Sequence, residues 1–421
     1  MELKKYNANH TQVLKINQIV RTISETHKFD KDKLIAINTS DVENGVMGNG
    51  TLTFVDELKG QFKKTIVKDD ILFSEIRPAN RRFAKVTTKN TKDYVVSTKL
   101  MVLRKYNEDV DLEYFYYCLT NQPFLDILQR RAENRIGSFP QITFDLLSEY
   151  AFPIPPISEQ KRISSVISTL DKKIALNRQI NQNLEAMAKQ LYDYWFVQFD
   201  FPNEEGKPYK SSGGEMVWNE KLKRNIPVGW HCGNLFEIAV FTNGLACQKF
   251  RPKDDEAPLP VIKIREMHDG ISADTEEVTP NIPESVKVYN GDVLFSWSAS
   301  LEVMLWAYGL GGLNQHIFKV TSANDFPKSF YYFQLLDYVD VFKKMAEARK
   351  TTMGHITQDH LQQSTIAIPN NKDIADRFEE LISPIFNQII KLHEEILNLT
   401  KQRDKLLPLL MNGQALVNSD L

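Results

Sequence analysis

Arginine and lysine side chains gather in both halves of the chain, where they could bind phosphate groups and read bases. In the first half they are Arg77, Arg81, Arg82, Lys85, Arg130, Arg131 and Arg135. In the second half they are Lys249, Arg251, Lys263, Arg265, Lys344, Arg349 and Lys350. Such side chains neutralise the phosphates of nucleic acid, and arginine also binds the edge of guanine. Their recurrence predicts contact with double-stranded DNA. For any single cluster, a solvated surface of mixed charge is the alternative.

Catalytic motifs do not accompany these basic residues. The sequence contains no GxxxxGK[ST] phosphate loop and no GxGxxG that opens a helix after a strand. The eight histidines stand in no HExxH or CxxC context, so no metal site is expected. The adjacent carboxylates Asp69 and Asp70 are better explained as a turn that enters a strand, because their later counterparts are Gly291 and Asp292. The sequence therefore predicts a protein that is not itself an enzyme.

The segments that must position the basic residues occur twice in the chain, as an internal repeat. The string DILFS at residues 70–74 returns as DVLFS at 292–296, and FYY at 115–117 returns at 330–332. Other short matches follow in the same order with a slowly drifting offset. The chain is therefore interpreted as two copies of a unit of about 210 residues.

Each copy opens with segments that predict strands and continues with segments that predict helices. Alternating apolar residues at 83–87, 99–103 and 317–320 are typical of strands. The segments 111–130 and 325–348 have the pattern of short amphipathic helices. Each copy therefore begins as a mixed α/β domain.

Each copy closes with a long helix whose apolar seam has the 3.5-residue period of a coiled coil. The seam positions are Ile163, Ile167, Leu170, Ile174, Asn177, Asn181, Leu184 and Leu191 in the first helix, and Ile385, Ile389, Leu392, Ile396, Leu399 and Leu406 in the second. Asn177 and Asn181 indicate either a fixed register and partner, at some loss of stability, or a seam that frays into solvent. Because a proline inside a helix lacks the N–H donor, Pro384 predicts that the second helix begins properly only after Ser383.

These patterns together predict an α+β fold with an internal pseudo-twofold repeat. Two mixed α/β domains would be separated by two long antiparallel coiled-coil helices, with domain, helix, domain and helix at residues 1–155, 156–199, 200–371 and 372–415. A helix of about 38 residues spans about 57 Å, so the pair would hold the domains at a fixed separation. Since the domains share a fold but not their residues, the predicted DNA site is two-part and not palindromic.

The composition of the whole chain is that of an ordinary soluble globular protein. Its 421 residues carry 52 Lys+Arg against 54 Asp+Glu, a formal net charge of −2. This excludes a histone-like binder but leaves binding through local patches open. Three cysteines without a CxxC, and no signal-like start, predict a cytoplasmic location. The apolar stretch 295–313 is interpreted as buried strands rather than a membrane span, because Glu302 lies in its middle.

Several strings resemble those of the specificity (S) subunits of type I restriction-modification systems. They are PIPPISEQKRI (153–163), LEAMAKQLYDYWFVQFDF (184–201), IPVGW (226–230), GDVLFS (291–296), LNQHIFKV (313–320) and KLLPLLMNGQALV (405–417). The resemblance covers essentially the whole chain, although the first domain has no opening like IPVGW. It implies that residues 1–155 and about 200–370 are two target recognition domains, and that the long helices are the conserved spacer regions.

The same resemblance implies partners. In that family the spacer helices dock two methyltransferase (M) subunits, and restriction (R) subunits join through those. S-adenosylmethionine, ATP and Mg would accordingly be bound by partner subunits, with no cofactor on this chain. The sequence thus favours a non-catalytic DNA-specificity subunit of a restriction system. The alternative is a coiled-coil interaction scaffold whose domains bind protein.

An aromatic cluster closes the first long helix and has two interpretations. Its members are Tyr192, Tyr194, Trp195, Phe196, Phe199 and Phe201. Core packing against the second domain is favoured, and docking of a methyltransferase is the alternative. The counterpart at the end of the second helix could serve either purpose; it consists of Leu406, Leu407, Leu409, Leu410 and Met411.

Overall fold

The computed structural model describes residues 11–58, 60–134, 141–272, 274–348 and 356–411. The chain divides into two compact units, each of which is described by itself. Unit 1 comprises Met1–Lys173 and Leu399–Leu421, and unit 2 comprises Ile174–Asn398. Each unit therefore contains one mixed domain together with a part of each long helix.

The domain of unit 1 is built from twelve short strands and three helices in its described part. The strands are β1 (Gln12–Lys15), β2 (Val20–Thr22), β3 (Lys33–Ile37), β4 (Val42–Glu43), β5 (Val46–Met47), β6 (Thr51–Phe54), β7 (Phe62–Lys64), β8 (Ile71–Ser74), β9 (Phe83–Lys85), β10 (Tyr94–Ser97), β11 (Leu100–Lys105) and β12 (Ala151–Ile154). The helices are α1 (Leu112–Thr120), α2 (Gln122–Glu133) and α3 (Phe144–Ser148). One four-stranded sheet has the order β2-β11-β8-β9, and a second has the order β6-β3-β10-β7. In the second sheet, β3 and β10 are parallel.

A long helix, α4 (Ile157–Tyr192), then begins in unit 1 and ends in unit 2. The described part of unit 2 continues with strands β13 (Met216–Asn219), β14 (Arg224–Pro227), β15 (Trp230–Gly233), β16 (Ala239–Asn243), β17 (Leu259–Ile262), β18 (Glu277–Val278), β19 (Lys287–Val288), β20 (Val293–Ser296), β21 (Glu302–Leu305), β22 (Gly311–Leu313), β23 (Ile317–Ser322) and β24 (Ile366–Pro369). Its helices are α5 (Leu235–Ile238), α6 (Ile264–Asp269), α7 (Lys328–Ala348) and α8 (Gln358–Gln362). The second long helix is α9 (Asp373–Met411). Residues 412–415 of the predicted spacer helix lie outside the described residues.

The four-stranded sheets of unit 2 repeat those of unit 1 strand for strand. Their orders are β16-β23-β20-β21 and β18-β17-β22-β19, and β17 is parallel to β22 as β3 is to β10. The outer pair β1-β12 likewise has its counterpart in β15-β24. The predicted α+β duplication is thus confirmed. The hairpin β13-β14 is an addition to unit 2 that has no counterpart in the described part of unit 1.

The turn that enters β8 shows the repeat at the level of single hydrogen bonds. The Asp70 carboxylate accepts from the Val67 N–H at 2.7 Å and from the Arg104 guanidinium at two distances of 2.8 Å. In unit 2, the Asp292 carboxylate accepts from the Tyr289 N–H at 2.8 Å and pairs with the Lys319 ammonium at 2.8 Å. These aspartates therefore close a turn and hold the neighbouring strand, as the structural interpretation of Asp69 and Asp70 predicts.

The long helices pack against each other and against the domain inside each unit. In unit 1, Ile163 and Ile167 of α4 share a hydrophobic core with Leu410 of α9 and with the helices of the domain. In unit 2, Asn177 contacts Glu395 and Asn181 contacts Ile389 and His393. Since residue numbers rise along one helix as they fall along the other, the pairing in unit 2 is antiparallel, as predicted.

The prediction that the second long helix begins only after Ser383 is wrong. Helix α9 begins at Asp373 and runs through Pro384 without a break. Phe378 and Ile382 precede the proline and are fully buried, and Phe386 follows it with 5% of its surface exposed. An interior proline costs about 3 kcal/mol of helix propensity. Burial of these side chains contributes about 1.5–3 kcal/mol each, which is enough to keep the turn helical.

The apolar stretch 295–313 forms strands, as predicted. It contains the end of β20, all of β21 and all of β22. Within the described ranges, none of the helices is both long and apolar enough to cross a membrane. The predicted strands at 83–87, 99–103 and 317–320 are likewise confirmed, as β9, β11 and β23.

Candidate nucleic-acid interface

The loop between β8 and β9 carries three of the predicted basic residues of unit 1. Strand β8 ends at the buried Ser74, whose hydroxyl oxygen accepts from the Ile76 N–H at 3.1 Å. The next residue, Arg77, adopts a left-handed φ of 46° and is exposed. Pro78 then opens a short turn that ends at Arg81, where φ is again left-handed at 54°. The loop thus turns sharply twice and presents Arg77 to solvent.

Neighbouring polar side chains hold this loop in place. The Arg81 guanidinium donates to Asn44 Oδ1 at 2.7 Å and to Gln122 Oε1 at 2.5 Å. The Ala79 N–H donates to Gln129 Oε1 at 3.1 Å. The loop is therefore anchored both to α2 and to the turn between β4 and β5. Sequence reasoning missed Asn44, Gln122 and Gln129, because no local pattern marks an amide that receives a bond from a distant loop.

Burial separates the predicted basic residues of unit 1 into two groups. Burial lowers the pKa of Arg81, and the nearby positive charge of Arg403 lowers it further. The Arg82 guanidinium lies 3.3 Å from the Glu43 carboxylate, and Lys85 is paired with Glu113. Burial lowers the pKa of Lys85 as well. These side chains have partners inside the domain, so a phosphate would compete with carboxylates for Arg82 and Lys85.

Arg77, Arg130 and Arg131 form the second group, which we call the exposed arginines of unit 1. Arg130 and Arg131 lie in the last turn of α2 and are exposed. None of the three forms an ion pair with a residue that the structure describes. Since α2 also anchors the loop of Arg77, all three arginines lie either on this loop or on the helix that holds it. Arg135, the remaining predicted residue, lies outside the described residues.

The predicted basic residues of unit 2 are more dispersed. Lys263 pairs with Glu276 at 2.5 Å, and Arg265 pairs at 2.6 Å with Glu266, which is 1% exposed. Those two cations therefore serve the fold around α6. Lys249, Arg251 and Lys344 are exposed and form no ion pair with a described residue. Arg349 and Lys350 lie outside the described residues.

The seam of the long helices faces inward along the described length. Seam positions that are buried are Ile163, Ile167, Ile174, Asn177, Asn181, Ile389, Leu392 and Ile396. The remaining ones, Leu170, Leu184, Leu191, Ile385, Leu399 and Leu406, are half-buried. Phe386 was missed as a seam residue, because it stands one position after the heptad site Ile385. Its aromatic ring packs edge-on against Tyr332, and this contact with the domain buries it.

The two seam asparagines are held by α9 rather than by solvent. The Asn177 amide donates to Glu395 Oε2 at 2.8 Å. The Asn181 amide lies 3.3 Å from the Ile389 carbonyl oxygen and 2.9 Å from His393 Nδ1. The buried Asn181 Oδ1 has no partner among the described residues. A buried polar layer with one unpaired oxygen lowers the stability of the helix pair. Polar layers of this kind fix the register of the helices in coiled coils.

The aromatic cluster at the end of α4 belongs to the core of unit 2. Five of its six residues are buried there, and Tyr194 is 37% exposed. Phe196 contacts the rings of Trp230, Phe330 and Phe378 at centroid distances between 5.0 and 6.1 Å. Core packing is therefore the observed role. In unit 1, the end of α9 does the same, because Leu407, Leu410 and Met411 are buried in the domain core.

Comparisons with known proteins agree with this duplicated architecture. The chain matches the family described as "Type I restriction modification DNA specificity domain" twice, over residues 10–186 and 227–400. It is 28% identical to the type I restriction enzyme HindI specificity subunit of Haemophilus influenzae, over 95% of this chain and 98% of that protein. It is 25% identical to the MjaIX specificity subunit of Methanocaldococcus jannaschii, over 72% of this chain and 68% of that protein.

A solved structure shows the same fold. The S subunit of a type I restriction-modification system from M. genitalium aligns with a TM-score of 0.55 at 15% identity, over 98% of this chain and 99% of that one. Two copies of a mixed domain, each closed by a long helix, thus place the chain in a class of DNA-specificity proteins. The chain belongs to the type I restriction-modification DNA specificity family, of which it carries two domains.

Proposed function

We propose that this chain selects the DNA site of a type I restriction-modification complex. Each domain reads one half of a bipartite, asymmetric site, and the long helices dock two methyltransferase subunits. Restriction subunits join through the methyltransferases. The partner subunits bind S-adenosylmethionine, ATP and Mg, and this chain contributes only the recognition of DNA.

The observation that carries the proposal is the duplication of one fold with different exposed side chains. The strand orders of the two units are the same, but the loop after β8 carries three arginines where the loop after β20 carries none. DNA-binding proteins read sequence with side chains that reach base edges, and they hold register with contacts to phosphates. Two equivalent frames with unlike side chains therefore suit two unlike half-sites.

Mapping of methylated adenines across a genome tests this proposal. The chain and the methyltransferase subunit of its own system are expressed in a host without other adenine methylation, and the methyltransferase is also expressed alone. The expected result is a two-part asymmetric motif that appears only when this chain is present. The proposal would be refuted if the methylome were the same in both strains, provided that separate measurements of expression and binding show the methyltransferase to be active. That outcome would favour the protein-binding scaffold.

A further inference from the structure

The loops that follow β8 and β20 begin with the same backbone geometry. The first residue after each strand donates its N–H to an equivalent carbonyl, Glu75 to Lys99 at 3.1 Å and Trp297 to His316 at 3.3 Å. The third residue is left-handed in both units, with φ of 46° at Arg77 and 59° at Ala299. Both residues are exposed. The two units thus present one residue at the same place in the loop.

The left-handed backbone at these two positions is notable because neither residue is glycine. Residues with a Cβ avoid this region, and they keep such a conformation only where the surroundings impose it. In unit 1 the loop is held by the bonds from Arg81 to Asn44 and from Ala79 to Gln129. The fold therefore maintains a disfavoured conformation in both copies.

The loop of unit 2 is held by the last residue of its strand. The buried Ser296 hydroxyl donates to the Ser300 carbonyl oxygen and accepts from the Glu302 N–H at 3.1 Å. Ala299 lies between Ser296 and Ser300, inside the turn that the first of these bonds closes. The backbone position is thus kept in both units, while the side chain changes from arginine to alanine.

We propose that Arg77 and Ala299 are the equivalent base-reading residues of the two domains. This inference rests on the proposed function. An arginine on a fixed loop can donate two hydrogen bonds to O6 and N7 of guanine in the major groove. Alanine can make the apolar contact that recognises the methyl group of thymine. At this position, the half-site of unit 1 therefore contains a G·C pair and that of unit 2 an A·T pair.

The other exposed arginines of unit 1 suit a different role. Arg130 and Arg131 lie in the exposed last turn of α2 and not on the anchored loop that carries Arg77. Contacts to phosphate need charge but little preorganisation, whereas a bidentate contact to a base needs a fixed geometry. Arg131→Ala is therefore the matched control for Arg77→Ala, because it removes the same charge from the same unit.

The experiment maps adenine methylation by this chain together with its methyltransferase subunit, for wild type, Arg77→Ala, Arg77→Lys and Ala299→Arg. Arg77→Ala should reduce the preference for one G·C pair in one half of the motif by roughly 5-fold to 150-fold. The other half should be unchanged. Arg77→Lys should relax the same pair, since lysine keeps the charge but lacks the planar fork. Ala299→Arg should weaken the preference for an A·T pair in the other half only.

The control variant separates reading from charge. Arg131→Ala should lower methylation at all sites alike and leave the motif unchanged. The inference is overturned if Arg77→Ala acts in the same uniform way, or if Arg77→Lys gives the wild-type motif. Thermal unfolding of each purified variant should match wild type within about 2 °C, so that misfolding does not imitate a lost motif. If wild type itself yields no gene-dependent motif, it is the proposed function that fails.

Discussion

Loss of the Asp70 carboxylate should destabilise unit 1 far more than loss of its counterpart Asp292 destabilises unit 2. The Asp70 side chain is 1% exposed and accepts three hydrogen bonds, two of them from Arg104, which is 24% exposed. Asp70→Ala leaves that guanidinium without its partner inside the domain. Breaking such a pair costs about 3–5 kcal/mol, and the partial exposure of Arg104 places the expected loss at about 4 kcal/mol.

The matched variant Asp292→Ala should cost about 1.5 kcal/mol. Asp292 is 24% exposed, and its partner Lys319 also donates to the Lys287 carbonyl oxygen at 2.8 Å, so the ammonium keeps an acceptor. For a unit of this size, 1 kcal/mol lowers the melting temperature by about 2–4 °C. The expected decreases are therefore about 8–16 °C for Asp70→Ala and about 3–6 °C for Asp292→Ala.

Differential scanning calorimetry of the purified full chain measures both decreases. A second substitution checks the cause, because Arg104→Met in the Asp70→Ala background removes the unpaired charge and should restore much of the lost stability. Equal decreases at the two aspartates would refute the reasoning from burial. So would a double variant that is no more stable than Asp70→Ala alone.

Three further predictions concern the long helices and the exposed arginines. Pro384→Ala restores a backbone N–H donor for the Glu380 carbonyl oxygen and should raise the free energy of unfolding by about 1–3 kcal/mol. An unchanged melting temperature would show that the helical turn at Pro384 is already relaxed. Asn181→Leu removes a buried unpaired oxygen and should raise the free energy of unfolding by about 1 kcal/mol in chemical denaturation, whereas a loss would show that the contact with His393 stabilises the pair. Arg131→Ala should reduce the slope of log affinity against log salt by about 1 in titrations with duplex DNA, and an unaltered slope would identify a merely solvated side chain.

The duplication and the strands were predictable because they leave local, repeated signals. The strings at 70–74 and 292–296 mark the same buried strand, β8 and β20, since each strand consists of three apolar residues and a serine, all of them buried. The paired long helices were predictable for the same reason, because a heptad seam repeats along one segment. Phe386 escaped this reasoning, since the ring that buries it belongs to Tyr332 in another element.

The basic residues illustrate what a local pattern leaves open. Lys85, Arg82 and Arg77 look alike in the sequence, yet Lys85 and Arg82 have carboxylate partners while Arg77 is exposed. Those partners, Glu113 and Glu43, come from an α-helix and a separate hairpin. These residues were grouped because they are close in the sequence, but the fold pairs two of them with carboxylates and leaves the third exposed.

Local sequence patterns were enough to predict two copies of a mixed domain, each followed by a helix with a heptad seam. These features depend on periodicity and on the order of short strings, which are properties of neighbouring residues. The folded structure was needed to show that α9 runs through Pro384, that the aromatic cluster of α4 is core, and that Arg77 is exposed on an anchored loop. Each of these depends on burial and on hydrogen bonds between distant segments. Such contacts form only when the chain has folded, so no stretch of sequence records them locally.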